Sequence, residues 1–362
     1  MKAPSHEHEK VGLCLGGGGL TGVMYEVGVL AAVEDAIEDF RAADFDLFVG
    51  VGSSAPVACA LAGGVSALRI YRALLDPADD FFPLSRAHLL QIDSPELRRM
   101  AKSALAASRR MLGSVASRHV RTDLWGEIDR FYDSMPAGLC SLEPFEKLLR
   151  QLWKRRGIPE RFADLEGRVL LVANDLDRGE PTIFGVGHEE DVPVTRAVVA
   201  ACASPGLYAP VRVGERDVVA SAPSEARHVE LAVAEGCTTV LLINALVPVH
   251  AERRSSVPTG HGPGDRVRDK GLLWVLNQHE RIATEAILHS VVARLRAEGK
   301  VDVHLVEPDR RDALMFMRPS MDFATRRLIL KEGYTAARRL LADPESTLRR
   351  AIEARRKARG AS

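Results

Sequence analysis

Leu15-Gly16-Gly17-Gly18-Gly19-Leu20-Thr21-Gly22, followed one helix later by Gly50-Val51-Gly52-Ser53-Ser54, decides how this chain folds. Upstream of the glycines, Val11-Gly12-Leu13-Cys14-Leu15 reads as a short buried strand. Behind them, apolar residues at helical spacing (Val27, Leu30, Ala31, Val33, Ile37) predict a helix over 23–37. Residues 45–49 read as a second buried strand, and 53–62 as a small-residue helix after a glycine turn. Two strand-turn-helix units in succession predict an α/β fold with a mostly parallel sheet covered by helices.

Further strands are expected at 169–173, 182–186, 217–220 and 239–245, and helices at 194–203 and 229–234. Two long helices follow, over 272–297 and 323–341. The expected organisation is a polar N-terminal tail at 1–10, one core domain at 11–250, a flexible Gly-, Pro-, Ser- and Arg-rich loop at 251–270, a C-terminal helical part of the same domain at 271–345, and a solvated basic tail at 346–362. Ser94-Pro95-Glu96 is a helix start, and the helix it opens, 95–112, is basic and amphipathic. Packing of its apolar side on the core is expected; peripheral contact with an anionic membrane is the alternative.

With 362 residues and 46% hydrophobic content, the chain can bury a large core. Lys plus Arg (49) balances Asp plus Glu (49), so long-range electrostatics call for no nucleic-acid partner. The five cysteines, Cys14, Cys59, Cys140, Cys202 and Cys237, lack Cys-x-x-Cys spacing and mostly sit in apolar runs, as thiols in a reducing compartment do. The N-terminus has no apolar core of a signal peptide, and no apolar run is long enough to span a bilayer, so a soluble cytoplasmic protein is expected. Neither a metal nor a cofactor is implied; the His6 and His8 pair at the exposed end is read as incidental. Oligomeric state is left open.

A strand feeding Gly-x-Gly-x-x-Gly into a helix has two chemical readings. Dinucleotide binding requires an acid at the end of the second strand to hold the ribose. Here that strand ends Val49-Gly50-Val51-Gly52, and Asp46 lies near its start instead. In the acyl-transfer reading, backbone N–H groups of the glycines face a developing oxyanion, and missing side chains let the substrate carbonyl approach. A nucleophile on a neighbouring elbow completes that chemistry.

The segments 15–30 (LGGGGLTGVMYEVGVL), 45–64, 192–210 and 217–248 (ending LLINALVP), with Glu307-Pro308 and Leu314-Met315-Phe316, resemble the patatin-like phospholipase family. The resemblance implies a three-layer α/β/α patatin-like fold with additional C-terminal helices. It also implies a Ser-Asp dyad without histidine, the serine in a Gly-x-Ser-x-Gly elbow and the aspartate in an Asp-Gly-Gly or Asp-Gly-Ala turn. Gly17, Gly18, Gly19 and Gly22 match the family's oxyanion loop, but both dyad positions are substituted. Phe45-Asp46-Leu47-Phe48-Val49-Gly50, placed on the family's strand without a gap, puts Gly52 at the nucleophile. Val219-Ala220-Ser221-Ala222 falls on the aspartate turn, so the base position holds Ala220.

A two-residue shift would make Ser54 the nucleophile and put Pro56 on a family glycine, at the cost of an insertion in a buried strand end. Ser53 and Ser54 are therefore the fallback nucleophiles. A serine needs a group to take its proton, and Ala220 cannot do so. Asp217, Glu225 and His228 are the substitute candidates, each expected to be an ordinary surface or helix-start residue. Cys59 and Cys202 are expected to pack rather than react. The leading expectation is a pseudoenzyme that keeps the oxyanion loop and binds an acyl lipid or fatty acid. The alternatives are an active phospholipase or esterase using Ser53 or Ser54, and an interaction scaffold that keeps the loop for the fold alone.

Overall fold

The computed structural model describes residues 10–76, 78–92, 135–222, 226–251, 257–320, 322–343 and 346–360, with isolated positions between 93 and 134. The predicted basic helix at 95–112 lies outside the described residues apart from those positions, as do His6, His8 and Glu225. One eight-stranded sheet contains β1 (Val11–Leu15), β2 (Leu47–Val51), β3 (Arg168–Asp175), β4 (Glu180–Phe184), β5 (Val211–Val213), β6 (Arg216–Ala220), β7 (Thr239–Ile243) and β8 (Asp302–Val306). The helices are α1 (Gly19–Ala36), α2 (Ala55–Ala62), α3 (Ala67–Leu75), α4 (Arg86–Leu89), α5 (Glu143–Arg156), α6 (Val194–Cys202), α7 (Arg227–Ala234), α8 (Leu272–Glu298), α9 (Phe323–Leu341) and α10 (Thr347–Gly360).

The strands β8, β7, β1, β2 and β3 run in that order and pair in parallel. Residues of β1, β2 and β7 are buried throughout, as parallel strands covered on both faces must be. On one face Leu13, Leu15, Phe48 and Leu171 pack with side chains of α1, α2, α5, α6 and α9. On the other, Cys14, Val49, Val51 and Leu170 pack with side chains of α7 and α8. This is the expected α/β/α sandwich.

Helix α1 is buried nearly all round, because it lies between the sheet and α9. Its backbone touches that of α9. A Cβ added at Gly28 would sit 2.2 Å from the Leu330 carbonyl oxygen, and one at Gly333 would sit 2.1 Å from that of Tyr25.

Two expectations are corrected. The C-terminal tail is no solvated appendage: α10 buries Leu348, Ala351 and Ile352, and Arg355 pairs with Asp46 at 2.6 Å. Asp46 also accepts the Val11 N–H, so α10 is tied to the start of the sheet. The polar segment expected as a flexible loop contains a hairpin, Val257–Thr259 with Gly262–Gly264, and fully buries Val257.

Candidate active site

Strand pairing places the two substituted positions together. Along one edge of β3, β2 pairs up to Val51 opposite Val172, and β6 continues with Ala220 opposite Ala173. Strand β4 occupies the other edge of those same residues, so the C-terminal ends of β2 and β6 meet head to head. Short bonds join the same region: the Cys202 thiol donates to the Gly52 carbonyl at 3.2 Å, and the Ala220 N–H donates to the neighbouring Ala203 carbonyl at 2.9 Å.

Gly52 follows the strand at φ +56, the left-handed conformation that a sharp strand-to-helix elbow imposes. A Cβ built on it meets nothing within 4 Å, so the position faces open space. The ungapped register thus puts glycine where an elbow's side chain would enter a cavity.

That cavity, about 820 Å³, is lined by Gly18, Gly19, Gly52, Ser53 and Ala220 among others. Its remaining walls are mostly apolar, including Leu142, Phe145, Leu149, Trp153, Trp274 and Phe316. The volume falls in the range of about 300–1,000 Å³ of small-molecule sites.

The four loop glycines divide their work. Gly18 and Gly19 line the cavity, and their N–H groups have no partner among the described residues, as expected at a helix start. Gly17 N–H is already used, donating to Glu26 Oε1 at 2.8 Å. Gly22 closes the turn; a Cβ there would lie 2.3 Å from the Gly17 carbonyl oxygen.

Ser54 is fully buried, points away from the cavity and donates to Glu26 Oε2 at 2.5 Å. The shifted elbow is therefore corrected as to Ser54, which turns into the core because α2 starts one residue later. Ser53 does line the cavity, and its hydroxyl donates to the Gly19 carbonyl at 3.2 Å. A carbonyl cannot take a proton from it. Among the described residues lining the cavity, Glu280 is the only carboxylate and no histidine is present. Glu280 makes no hydrogen bond to Ser53.

The substitute bases lie elsewhere. Asp217 sits at the far end of β6 and pairs with Arg212 at 3.4 Å. His228 lies in α7 on the opposite face of the sheet, where burial lowers its pKa to about 4. Its Nε2 has no partner among the described residues. Cys59 is buried in α2; Cys202 lines the cavity, but burial pushes its thiol up to about 12, far from a thiolate at neutral pH. No cluster of metal-ligating side chains occurs among the described residues.

Sequence reasoning passed over two residues here. Glu26, in the interior of α1, joins the glycine loop to the elbow. Arg281, in α8, is 1% exposed and lines the cavity.

A glycine loop and a strand-to-helix elbow converging on an apolar cavity define an α/β protein of the acyl-hydrolase type. The family model for patatin-like phospholipases matches residues 13–228, and the chain belongs to that family. No curated protein matches it. Among solved structures it is similar to VipD from Legionella pneumophila at 15% identity, covering 92% of this chain and 67% of that one with a TM-score of 0.40. It is also similar to the type III effector protein ExoU at 13% identity, covering 96% of this chain and 53% of that one with a TM-score of 0.36. The chain thus spans about half the length of ExoU.

Proposed function

We propose that this patatin-like chain is a pseudoenzyme that binds an acyl lipid or fatty acid in the cavity without hydrolysing it. The observation carrying this reading is the meeting of Gly52 and Ala220 at the converging ends of β2 and β6, beside the N–H groups of Gly18 and Gly19, which have no partner among the described residues. Those N–H groups form an oxyanion-hole-like cradle at a helix N-terminus, suited to a carbonyl or carboxylate oxygen. Gly52 and Ala220 themselves supply neither a nucleophile nor a base. The apolar walls suit an acyl chain.

Fluorophosphonate treatment of the purified chain, read by intact mass, is expected to leave it unmodified. p-Nitrophenyl butyrate is expected to turn over no faster than in buffer, while oleate binds saturably. An adduct on Ser53, with turnover lost in Ser53→Ala and in Glu280→Gln, would instead establish the displaced-nucleophile hydrolase. Absence of saturable lipid binding would remove the pseudoenzyme reading and leave the scaffold.

A lipid-binding cavity needs a route for an insoluble ligand, and the start of α8 supports one. Leu272, Leu273, Val275 and Leu276 are exposed there, and Leu273 and Leu276 also line the cavity, so this turn stands where the cavity meets solvent. Arg266, Arg268 and Lys270 precede it, outnumbering Asp265 and Asp269, the latter paired with Arg268 at 3.9 Å. An apolar turn beside cations fits the surface of an anionic bilayer. No helix among the described residues is long and apolar enough to cross a membrane. Cosedimentation with phosphatidylserine-containing liposomes is expected to weaken as salt rises and to fall at least several-fold in Leu272→Glu/Val275→Glu. Equal sedimentation of the variant would place membrane contact elsewhere.

A further inference from the structure

Helix α8 carries a buried stripe toward the sheet: Thr284, Leu288, Val292 and Leu295 follow Arg281 at helical spacing. A guanidinium thus occupies a core position. Its Nη1 donates to the Ala245 carbonyl at 3.2 Å and the Val247 carbonyl at 2.9 Å, and its Nε donates to Asn277 Oδ1 at 2.8 Å. All three acceptors are neutral. Nη2 has no partner among the described residues, although Arg281 lines the cavity.

Among the described residues no carboxylate lies within ion-pair distance. Glu280, the next residue along the helix and also on the cavity wall, acts on Arg281 as a nearby charge but makes no hydrogen bond to it among the described residues. Burial lowers the Arg281 pKa to about 10, which leaves it cationic at neutral pH. Burying an uncompensated charge is costly, and proteins normally provide a counter-ion. Phe316 and Trp274 flank the guanidinium, with ring centroids 5.4 Å and 6.0 Å away, but faces of aromatic rings compensate a full charge only in part.

The surrounding walls have the same sign. Arg86, Arg156, Lys270 and Arg318 also line this apolar cavity, against Glu280 as its one carboxylate among the described residues. Arg281 is joined to the glycine loop as well. The segment it holds through the Ala245 and Val247 carbonyls packs on Gly18, where an added Cβ would lie 3.4 Å from Leu246 Cγ and 3.6 Å from Ala245 Cβ.

The geometry points to Arg281 as the anion-binding subsite of the cavity, which takes single-chain amphiphiles with a carboxylate or phosphate head. This inference rests on the acyl-binding reading and adds the head-group chemistry. The head group accepts from the guanidinium and the chain runs along the apolar walls. Neutral esters, alcohols and diacylglycerols lack the group that compensates the buried charge, so the site selects against them.

Titration calorimetry with oleate, oleyl alcohol and 1-oleoyl-lysophosphatidic acid, each below its micellar concentration, tests this on the full chain. Oleate or the lysophosphatidic acid is expected to bind about 10- to 100-fold more tightly than oleyl alcohol, the range of one charge-assisted hydrogen-bonded contact. The tighter of the two anions identifies the head group as carboxylate or phosphate. Arg281→Gln is expected to erase the preference for the anions over oleyl alcohol, and Arg281→Lys to keep part of it. Equal binding of anionic and neutral ligands by the unaltered chain would overturn the subsite and leave acyl binding standing. So would a preference that persists in folded Arg281→Gln. Failure of all three ligands to bind would overturn both.

Discussion

Gly52→Ser combined with Ala220→Asp is expected to give this chain measurable esterase activity on p-nitrophenyl butyrate, with a fluorophosphonate adduct at position 52. Gly52→Ser alone is expected to react about 10²- to 10⁴-fold more slowly, the usual contribution of a positioned general base. Ala220→Asp alone is expected to be inert. Backbone pairing already brings the two positions together, since β2 and β6 end head to head on one edge of β3. A serine Cβ at Gly52 enters open space. Its left-handed φ of +56 costs a side chain about 1–2 kcal/mol, a strain that nucleophile elbows accept in exchange for exposing the hydroxyl. Ala220 lines the same cavity, so a carboxylate there is able to reach the introduced hydroxyl. The proposed oxyanion cradle is left unaltered, because the Gly18 and Gly19 N–H groups have no partner among the described residues. Intact mass after labelling and a linear ester assay decide the outcome. A folded double variant without adduct or turnover would show that these two side chains alone do not make the cavity a hydrolase site.

The parts of this site that depend on neighbouring residues were legible in the sequence. Strand β1 has its predicted bounds, and α1 starts at Gly19 rather than at 23, so that Gly19 and Gly22 of the glycine motif belong to the helix's first turn. The elbow was placed by register in a buried strand, which tolerates no slip. Parts that depend on distant pairing were not legible: no local pattern announces that β6 abuts the end of β2 across β3. Glu26 was missed for a different reason. An acid within a helix looks like a solvated one, and only the burial of α1 on both sides makes it otherwise. Arg281 did leave a signal, since it continues the Thr284, Leu288, Val292, Leu295 stripe toward the N-terminus. A cation on an apolar stripe is readable as a site once the stripe is known to face the core. The C-terminal helix was misread because its charges outnumber its apolar residues, yet Leu348, Ala351 and Ile352 fall on one face and are buried.

Stability of the chain is expected to hold roughly level from pH 4.5 to 6.5, then to fall by roughly 1.5 kcal/mol between pH 6.5 and 8, as read from urea midpoints. The two fully buried groups with large shifts in this range, Glu26 and His228, dominate this profile. Desolvation raises Glu26 from 4.5 to about 8, overcoming the opposing hydrogen bonds from Ser54, Gly17 and Gly16. Between those values the folded chain holds a proton that the unfolded chain has released, so the contribution of Glu26 is complete below pH 4.5 and is lost as pH rises through about 8. Burial moves His228 the other way, from 6.5 to about 4. Between those values the unfolded chain holds the extra proton, so the contribution of His228 is complete above pH 6.5 and is lost as pH falls toward 4. The slopes are opposite and cancel where the windows overlap, and above 6.5 Glu26 acts alone. Glu26→Gln is therefore expected to abolish the decline above pH 6.5 and to uncover a rise in stability between 4.5 and 6.5. The amide keeps an acceptor for Gly17 N–H and a partner for Ser54, so the loop and elbow stay joined. Glu26→Ala removes both, leaves a buried N–H unpaired at a cost of about 1–3 kcal/mol, and is expected to weaken ligand binding because the glycine loop loses its tie to the elbow. An unchanged decline in folded Glu26→Gln would assign the alkaline loss to another group and leave Glu26 as a charged tie rather than a protonated one.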